Sequence, residues 1–182
     1  MTAPLETDVS RNRASRLGSL PPTGLVLYDR RIMTTVFDFV AKKFDGIVDK
    51  SGEPYLRHLT TVAAQFPQQS DAYRVALLHD VLEDTDVTYE QLRDMFGYFI
   101  ADPVAIISRQ PNETYVEFIN RICASGNRTA IAVKIADNRD NLGILRKRAY
   151  QLPSGMQERY STALEKLEKA LYEIDKKEFG EK

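Results

Sequence analysis

The ten residues from Val75 to Asp84, "VALLHDVLED", constrain the fold more than any other stretch. At about 100° per residue, Val75, Leu77, Leu78, Val81 and Leu82 fall on one side of a helix. His79, Asp80, Glu83 and Asp84 fall together on the other, within roughly 140° of arc. The apolar side demands burial against other elements. The polar side carries no lysine or arginine, so neighbouring carboxylates would raise one another's pKa unless a cation compensates them. A divalent metal is the simplest compensation, because its charge exceeds that of any side chain. A solvated acidic face with a chance histidine is the plain alternative that this stretch leaves open by itself.

The rest of the chain repeats the helical period. Arg31 to Phe44 places Ile32, Val36, Phe39, Val40 and Phe44 near helical spacing. Gly and Pro mark Asp49 to Tyr55 as a loop, and His58 to Phe66 reads as a short helix ending before Pro67. Ser70 is placed to cap the next helix, expected to run on to about Glu83. Thr88 and Gln91 form a capping-box pattern, and Gly97 is the expected stop. Further helices are expected at Pro103 to Ser108, Glu113 to Ala124 and Arg128 to about Lys147. The last starts near Ser154 and aligns Tyr160, Leu164, Leu167, Leu171 and Ile174 in one stripe. No segment reads as a strand. The expectation is an all-α, single compact helical bundle over residues 25–182, preceded by a flexible polar extension over residues 1–24.

Composition removes several classes of function. The 182 residues suit one domain, and 43% hydrophobic residues supply a core. Lys plus Arg number 25 and Asp plus Glu 26, so bulk charge favours neither a nucleic-acid nor a membrane partner. No apolar run approaches membrane-spanning length, and the N-terminus lacks a signal-peptide pattern. One cysteine, Cys123, cannot form an intramolecular disulfide and is assigned no catalytic role. Together these features read as a cytoplasmic protein.

Histidine is scarce, and that sharpens the metal reading. There are only two: His79 on the acidic helix, and His58 at the end of "DKSGEPYLRH". Farther on, "VKIADNRDNL" carries Asp137 on an apolar helix, with Asn141 one turn later on the same face. His58, His79, Asp80 and Asp137 would offer two nitrogens and two carboxylates. That donor set suits Mn²⁺ or Fe²⁺ better than Mg²⁺ or Zn²⁺.

H…HD…D is also the ligand pattern of the HD phosphohydrolases. "DKSGEPYLRH", "ALLHDVLEDTDVTYEQLRDMFG" and "VKIADNRDNL", in this order, resemble the hydrolase domain of Rel/Spo-type alarmone enzymes. They look still more like the small stand-alone alarmone hydrolases of the metazoan SpoT-homologue type. The resemblance implies an all-α bundle around one metal, usually Mn²⁺, that removes the 3′-pyrophosphate from guanosine or adenosine alarmones. It implies His58, His79, Asp80 and Asp137 as ligands, Glu83 and Asp84 as the catalytic acidic pair, and Lys50 and Asn141 as nucleotide contacts. "SRQPNETYVEFINRI", Ser108 to Ile122, is similar to a segment of small family members and adds Arg109 and Tyr115 as substrate contacts. Lys134, one turn before Asp137 on roughly its face, is a further candidate for holding phosphate.

The chain departs from the family at several positions. Phe44 and Ile47 replace the histidine and glutamine of the "HxGQ" turn, Leu59 replaces the proline after the first ligand, and Asp49 replaces an arginine that contacts the base in larger relatives. Asp49 bears on guanine selectivity rather than on hydrolysis. Tyr55 is open to two readings, a base-stacking ring or a packed one. The basic run Arg146, Lys147 and Arg148 reads as a helix-terminal charge cluster and is left out of the site. Another nucleotide phosphohydrolase activity, or nucleotide binding without hydrolysis, are the alternatives the sequence leaves.

Overall fold

The computed structural model describes residues 30–143 and 152–180. The expected extension over residues 1–24 and the run Arg146 to Arg148 lie outside the described residues. Nine helices follow in order: α1 (Arg30–Lys43), α2 (Tyr55–Ala63), α3 (Asp71–Leu78), α4 (Val81–Asp84), α5 (Tyr89–Phe96), α6 (Tyr98–Ile107), α7 (Tyr115–Ala124), α8 (Arg128–Asn141) and α9 (Ser154–Phe179) among the described residues. Extended pairing there is limited to one isolated bridge, Val48 with Pro54. The all-α expectation is met.

α8 is the axis of the fold, packing against α9, α3, α2, α6 and α7. A helix surrounded this way cannot be amphipathic. Accordingly Ala130, Ile131, Val133, Ile135 and Ala136 are buried on several of its faces, together with Lys134, Asp137, Asn138 and Asp140. The apolar side of α3 (Val75, Ala76, Leu77, Leu78) and Leu59 and Val62 of α2 close the core around it. Leu167 of α9 is fully buried. Burial of such a side chain contributes about 1.5–3 kcal/mol.

Helix starts follow local capping chemistry. Ser70 accepts a hydrogen bond from Tyr73 N at the start of α3. Thr88 with Gln91, and Thr114 with Glu117, form reciprocal capping boxes that satisfy otherwise orphaned N–H groups. Gly97, at φ +79°, ends α5 and opens α6 in one step, a backbone conformation that costs glycine little.

Four expectations need correction. α2 begins at Tyr55 rather than His58, because Pro54 occupies the N-cap, where its missing N–H costs nothing; it ends at Ala63 rather than Phe66. α6 begins at Tyr98, with Pro103 inside it rather than at its start. The bond Pro103 forgoes is offset by packing: Ile100, Val104 and Ile107, at helical spacing, are all buried. α8 stops at Asn141, short of Lys147, with Gly143 at φ +76° just beyond. The fourth correction concerns the acidic helix itself. It is not continuous to Glu83: α3 ends at Leu78 and α4 restarts at Val81. Asp80 sits at φ −100°, ψ 0°, in the sparsely allowed bridge region where active-site residues recur.

Candidate metal centre and its cleft

The break at Asp80 turns its carboxylate back toward its own neighbour. On an unbroken helix adjacent side chains diverge by about 100°. Here Asp80 Oδ2 lies 3.0 Å from His79 Nε2 and 3.7 Å from His58 Nε2. The phenol of Tyr55, in the first turn of α2, donates to the same oxygen at 2.6 Å.

His58, His79 and Asp137 converge from α2, the end of α3 and α8. Their ligand atoms all lie within 4.8 Å of one another, and all three residues are buried. The two Nε2 atoms are 3.2 Å apart, and Asp137 Oδ1 is 3.3 Å from that of His58 and 3.7 Å from that of His79. The other ring nitrogens are occupied. His79 Nδ1 meets the Ala76 carbonyl at 2.8 Å, so it must donate, and His58 Nδ1 lies 2.5 Å from Asp140 Oδ2. This leaves two imidazole edges and a carboxylate oxygen aimed at one small volume. The donor set fits a divalent cation of the Mn²⁺, Fe²⁺ or Zn²⁺ kind.

Charge balance says the same. Burial alone would lower both histidine pKa values, yet both are raised. For His79 the carboxylates of Asp80 and Asp137 outweigh burial and lift it well above the usual range. For His58, Asp137 and Asp140 do so. Asp137 is held well below the carboxylate range despite its burial, chiefly by Lys134 and the two histidines.

A cleft of about 560 Å³ opens above this cluster. Of the residues singled out from sequence, His58, Asp80, Asp137, Glu83, Asp84, Lys50, Arg109, Tyr115, Lys134 and Asn141 all line it; His79 lies beneath. Glu83 accepts a hydrogen bond from the Arg109 backbone N–H at 3.0 Å. Desolvation, then the charge of Asp80, raise the Glu83 pKa, and the same two causes raise that of Asp84. Lys134 is buried, with its ammonium 2.8 Å from Asp137 Oδ2 and 4.9 Å above the Phe118 ring. Asn141 Nδ2 donates to Asp137 Oδ1 at 2.6 Å. Tyr115 donates to Asn138 at 3.1 Å, and burial pushes its phenol up to about 12. The Arg109 guanidinium is folded onto the Glu113 carbonyl, 2.8 Å from Nε.

Several contributors were missed. Asp140 is fully buried against His58. It stands three residues after Asp137, so helical spacing carried a signal that it shares that face. Arg159 and Tyr160 of α9 also line the cleft, the guanidinium of Arg159 4.7 Å above the Tyr115 ring. No local pattern marks them, because α9 reads simply as a core stripe. Tyr55 proves to be packed and also hydrogen-bonded: it stacks on Phe44 at 5.3 Å and 9°. Phe44, itself buried, thus packs against the ring whose hydroxyl holds Asp80. Asp49 Oδ1 accepts from Ser51 N (2.7 Å) and Glu53 N (3.1 Å), so its carboxylate shapes the loop that carries Lys50.

The all-α bundle thus gathers two histidines and two aspartates, His58, His79, Asp80 and Asp137, at the floor of one cleft. No protein-family model matches the chain. Two curated proteins named guanosine-3′,5′-bis(diphosphate) 3′-pyrophosphohydrolase do match. The one from Haemophilus influenzae is 35% identical over 113 residues, 56% of this chain and 17% of that protein. The one from Aquifex aeolicus is 31% identical over 120 residues, 60% of this chain and 17% of that protein. The chain therefore spans about a sixth of the length of these relatives. A solved structure described as a metazoan ortholog of SpoT that hydrolyses ppGpp superposes with a TM-score of 0.61 at 23% identity, covering 82% of this chain and 97% of that one. Sequence similarity to these 3′-pyrophosphohydrolases thus covers little more than half of the chain, and its fold is that of the metazoan SpoT ortholog.

Proposed function

We propose that this chain is a metal-dependent hydrolase that removes the 3′-pyrophosphate from guanosine or adenosine alarmones. The observation that carries the reading is one arrangement. A buried trio of metal-type donors and two carboxylates with raised pKa values share a cleft whose walls bear Lys50, Arg109, Lys134 and Arg159. The names of the Haemophilus and Aquifex relatives support the substrate class.

His58, His79 and Asp137 would hold the ion, with Asp80 as fourth ligand and Mn²⁺ as the ion. A divalent ion here supplies charge to offset the phosphates and lowers the pKa of water. Everything else falls to the protein. Lys50, Arg109 and Arg159 offer positive charge to the pyrophosphate and the other phosphates. Lys134, tied to Asp137, adds a fixed positive field from below rather than a free hand. Asn141 holds Asp137 in orientation. Tyr115, already packed against Arg159, borders the nucleotide.

Glu83 and Asp84 sit at the mouth of the cluster. Glu83 orients the attacking water or takes its proton, and a carboxylate pKa raised toward neutrality suits that task. Water attacks the phosphorus bonded to the ribose 3′ oxygen. The P–O3′ bond breaks, leaving a 3′-hydroxyl nucleotide and pyrophosphate. Asp84 aligns the pair and manages the second proton. Residues 25–182 are proposed as one HD domain acting in the cytoplasm. No described helix is long and apolar enough to cross a membrane.

The test is pyrophosphate release from guanosine and adenosine alarmones with Mn²⁺, repeated after chelation. Mn²⁺-dependent release supports the reading. Nucleotide binding without release makes the chain a binder, and release from other nucleotides alone moves it to another HD phosphohydrolase class.

A further inference from the structure

Each histidine of the centre is held from behind by a different chemistry. His79 Nδ1 donates to the Ala76 carbonyl one turn back, a local and neutral partner belonging to its own helix. His58 Nδ1 faces Asp140 Oδ2 at 2.5 Å, a carboxylate supplied by α8 from 82 residues away in sequence. Asp140 is fully buried. Aspartate is almost never fully buried unless paired, because removing a carboxylate from water is costly. A carboxylate retained at such cost beside a ligand imidazole asks for a function. Asp140 also shares a helix face with Asp137, three residues earlier, whose Oδ1 lies 3.3 Å from the other nitrogen of the same His58 ring. One rigid helix thereby grips both edges of one imidazole.

We propose that Asp140 is a positioning residue: it fixes His58 as the Nδ1–H tautomer and aims Nε2 at the metal. Carboxylate partners of this kind set the tautomer and orientation of a ligand histidine, and their loss typically weakens metal binding 10–100-fold. The local backbone of α2 gives His58 no equivalent of the Ala76 carbonyl, so its ring is held by a long-range contact. α8 then delivers one ligand directly and controls a second. This inference rests on the metal reading above and adds a residue to it.

The chain has only two histidines, so ¹⁵N-histidine labelling yields four ring nitrogens. With Zn²⁺ as a diamagnetic probe, the wild-type protein should show His58 bound through Nε2, with Nδ1 carrying a proton. That proton should resonate farther downfield than its His79 counterpart, because its acceptor is charged. Asp140→Asn keeps the size but offers an NH₂ that can stabilise the wrong tautomer. It should lose the downfield signal and weaken Mn²⁺ binding by calorimetry about 10–100-fold. Asp140→Leu should weaken it further. Mn²⁺ affinity within threefold of wild type in Asp140→Asn, or His58 bound to Zn²⁺ through Nδ1, overturns the assignment. The wild-type spectrum decides the tautomer even where a variant folds poorly. Failure of the wild-type protein to bind either ion would overturn the metal reading as well, whereas intact wild-type binding with indifferent variants would overturn Asp140 alone.

Discussion

Replacing Glu83 by glutamine separates metal binding from catalysis, and the structure sets the size of each effect. Glu83 Oε1 accepts the Arg109 backbone N–H at 3.0 Å. The amide oxygen of glutamine can accept the same hydrogen bond, though more weakly than a carboxylate, so the loop that carries Arg109 keeps its tether. Glu83 is not part of the buried ligand trio, so Mn²⁺ affinity should hold within about threefold, under 1 kcal/mol. Nucleotide affinity should hold or rise, since one negative charge near the phosphates is gone. Turnover should fall by about 10² to 10⁴, the usual worth of a positioned proton acceptor. That range corresponds to roughly 2.7–5.5 kcal/mol of barrier. The pH profile gives a second reading. A base works when deprotonated, so activity should rise with pH through the Glu83 pKa. Burial of its carboxylate moves that limb above the ordinary glutamate value of 4.5. The limb should vanish from the residual activity of the variant. The assay is single-turnover pyrophosphate release alongside calorimetric Mn²⁺ and nucleotide binding. Unchanged turnover would refute the role of Glu83 and shift the test to Asp84. Loss of metal would place Glu83 among the ligands instead.

Four further outcomes follow from the structure. Both histidines have raised pKa values in the metal-free protein, so binding Mn²⁺ must displace protons; calorimetry in buffers of different ionisation enthalpy should show proton release and affinity that rises with pH. By the same sign, the histidine contribution to metal-free stability is complete below the unfolded value of 6.5 and disappears as pH rises through the folded pKa values; chemical denaturation of chelated protein across that range checks it. Leu167→Ala, at a fully buried position of α9, should cost about 2–5 kcal/mol in chemical denaturation. Asp49 spends its carboxylate on the loop backbone, and no arginine stands there to read the base, so guanosine and adenosine alarmones should be hydrolysed with efficiencies within about a hundredfold, roughly 2.7 kcal/mol.

What was legible in the sequence follows from how local each signal is. The capping box at Thr88, the stop at Gly97 and the stripe of α9 rest on residues three or four apart, and the helical repeat converts that spacing directly into neighbourhood. Two of the boundaries that went astray involve proline. Pro54 reads as part of a loop and Pro103 as a helix start, but an N-cap forgives a missing N–H and a buried helix face outweighs one. α8 shows the limit of periodicity: buried on most sides, it has little amphipathic signature, so its end had to come from Gly143 rather than from its pattern.

The candidate site divides along the same line. His58, His79, Asp80 and Asp137 announced themselves by scarcity and chemistry, since two histidines and an uncompensated acidic face leave few other uses. The parts that hold them in place did not. The break at Asp80 cannot be read from "LLHDVL", whose apolar period runs through it unbroken. What accompanies it is tertiary: Asp80 Oδ2 accepts from Tyr55 of α2 and lies 3.0 Å from His79 Nε2. Asp140 and Arg159 belong to the same category. Each looks like an ordinary helix residue until the bundle closes, after which one backs a histidine from α8 and the other leans over Tyr115 from α9. A donor set is visible in composition because it must contain particular atoms; the geometry that makes it a site is a property of packing, and only long-range contacts carry it.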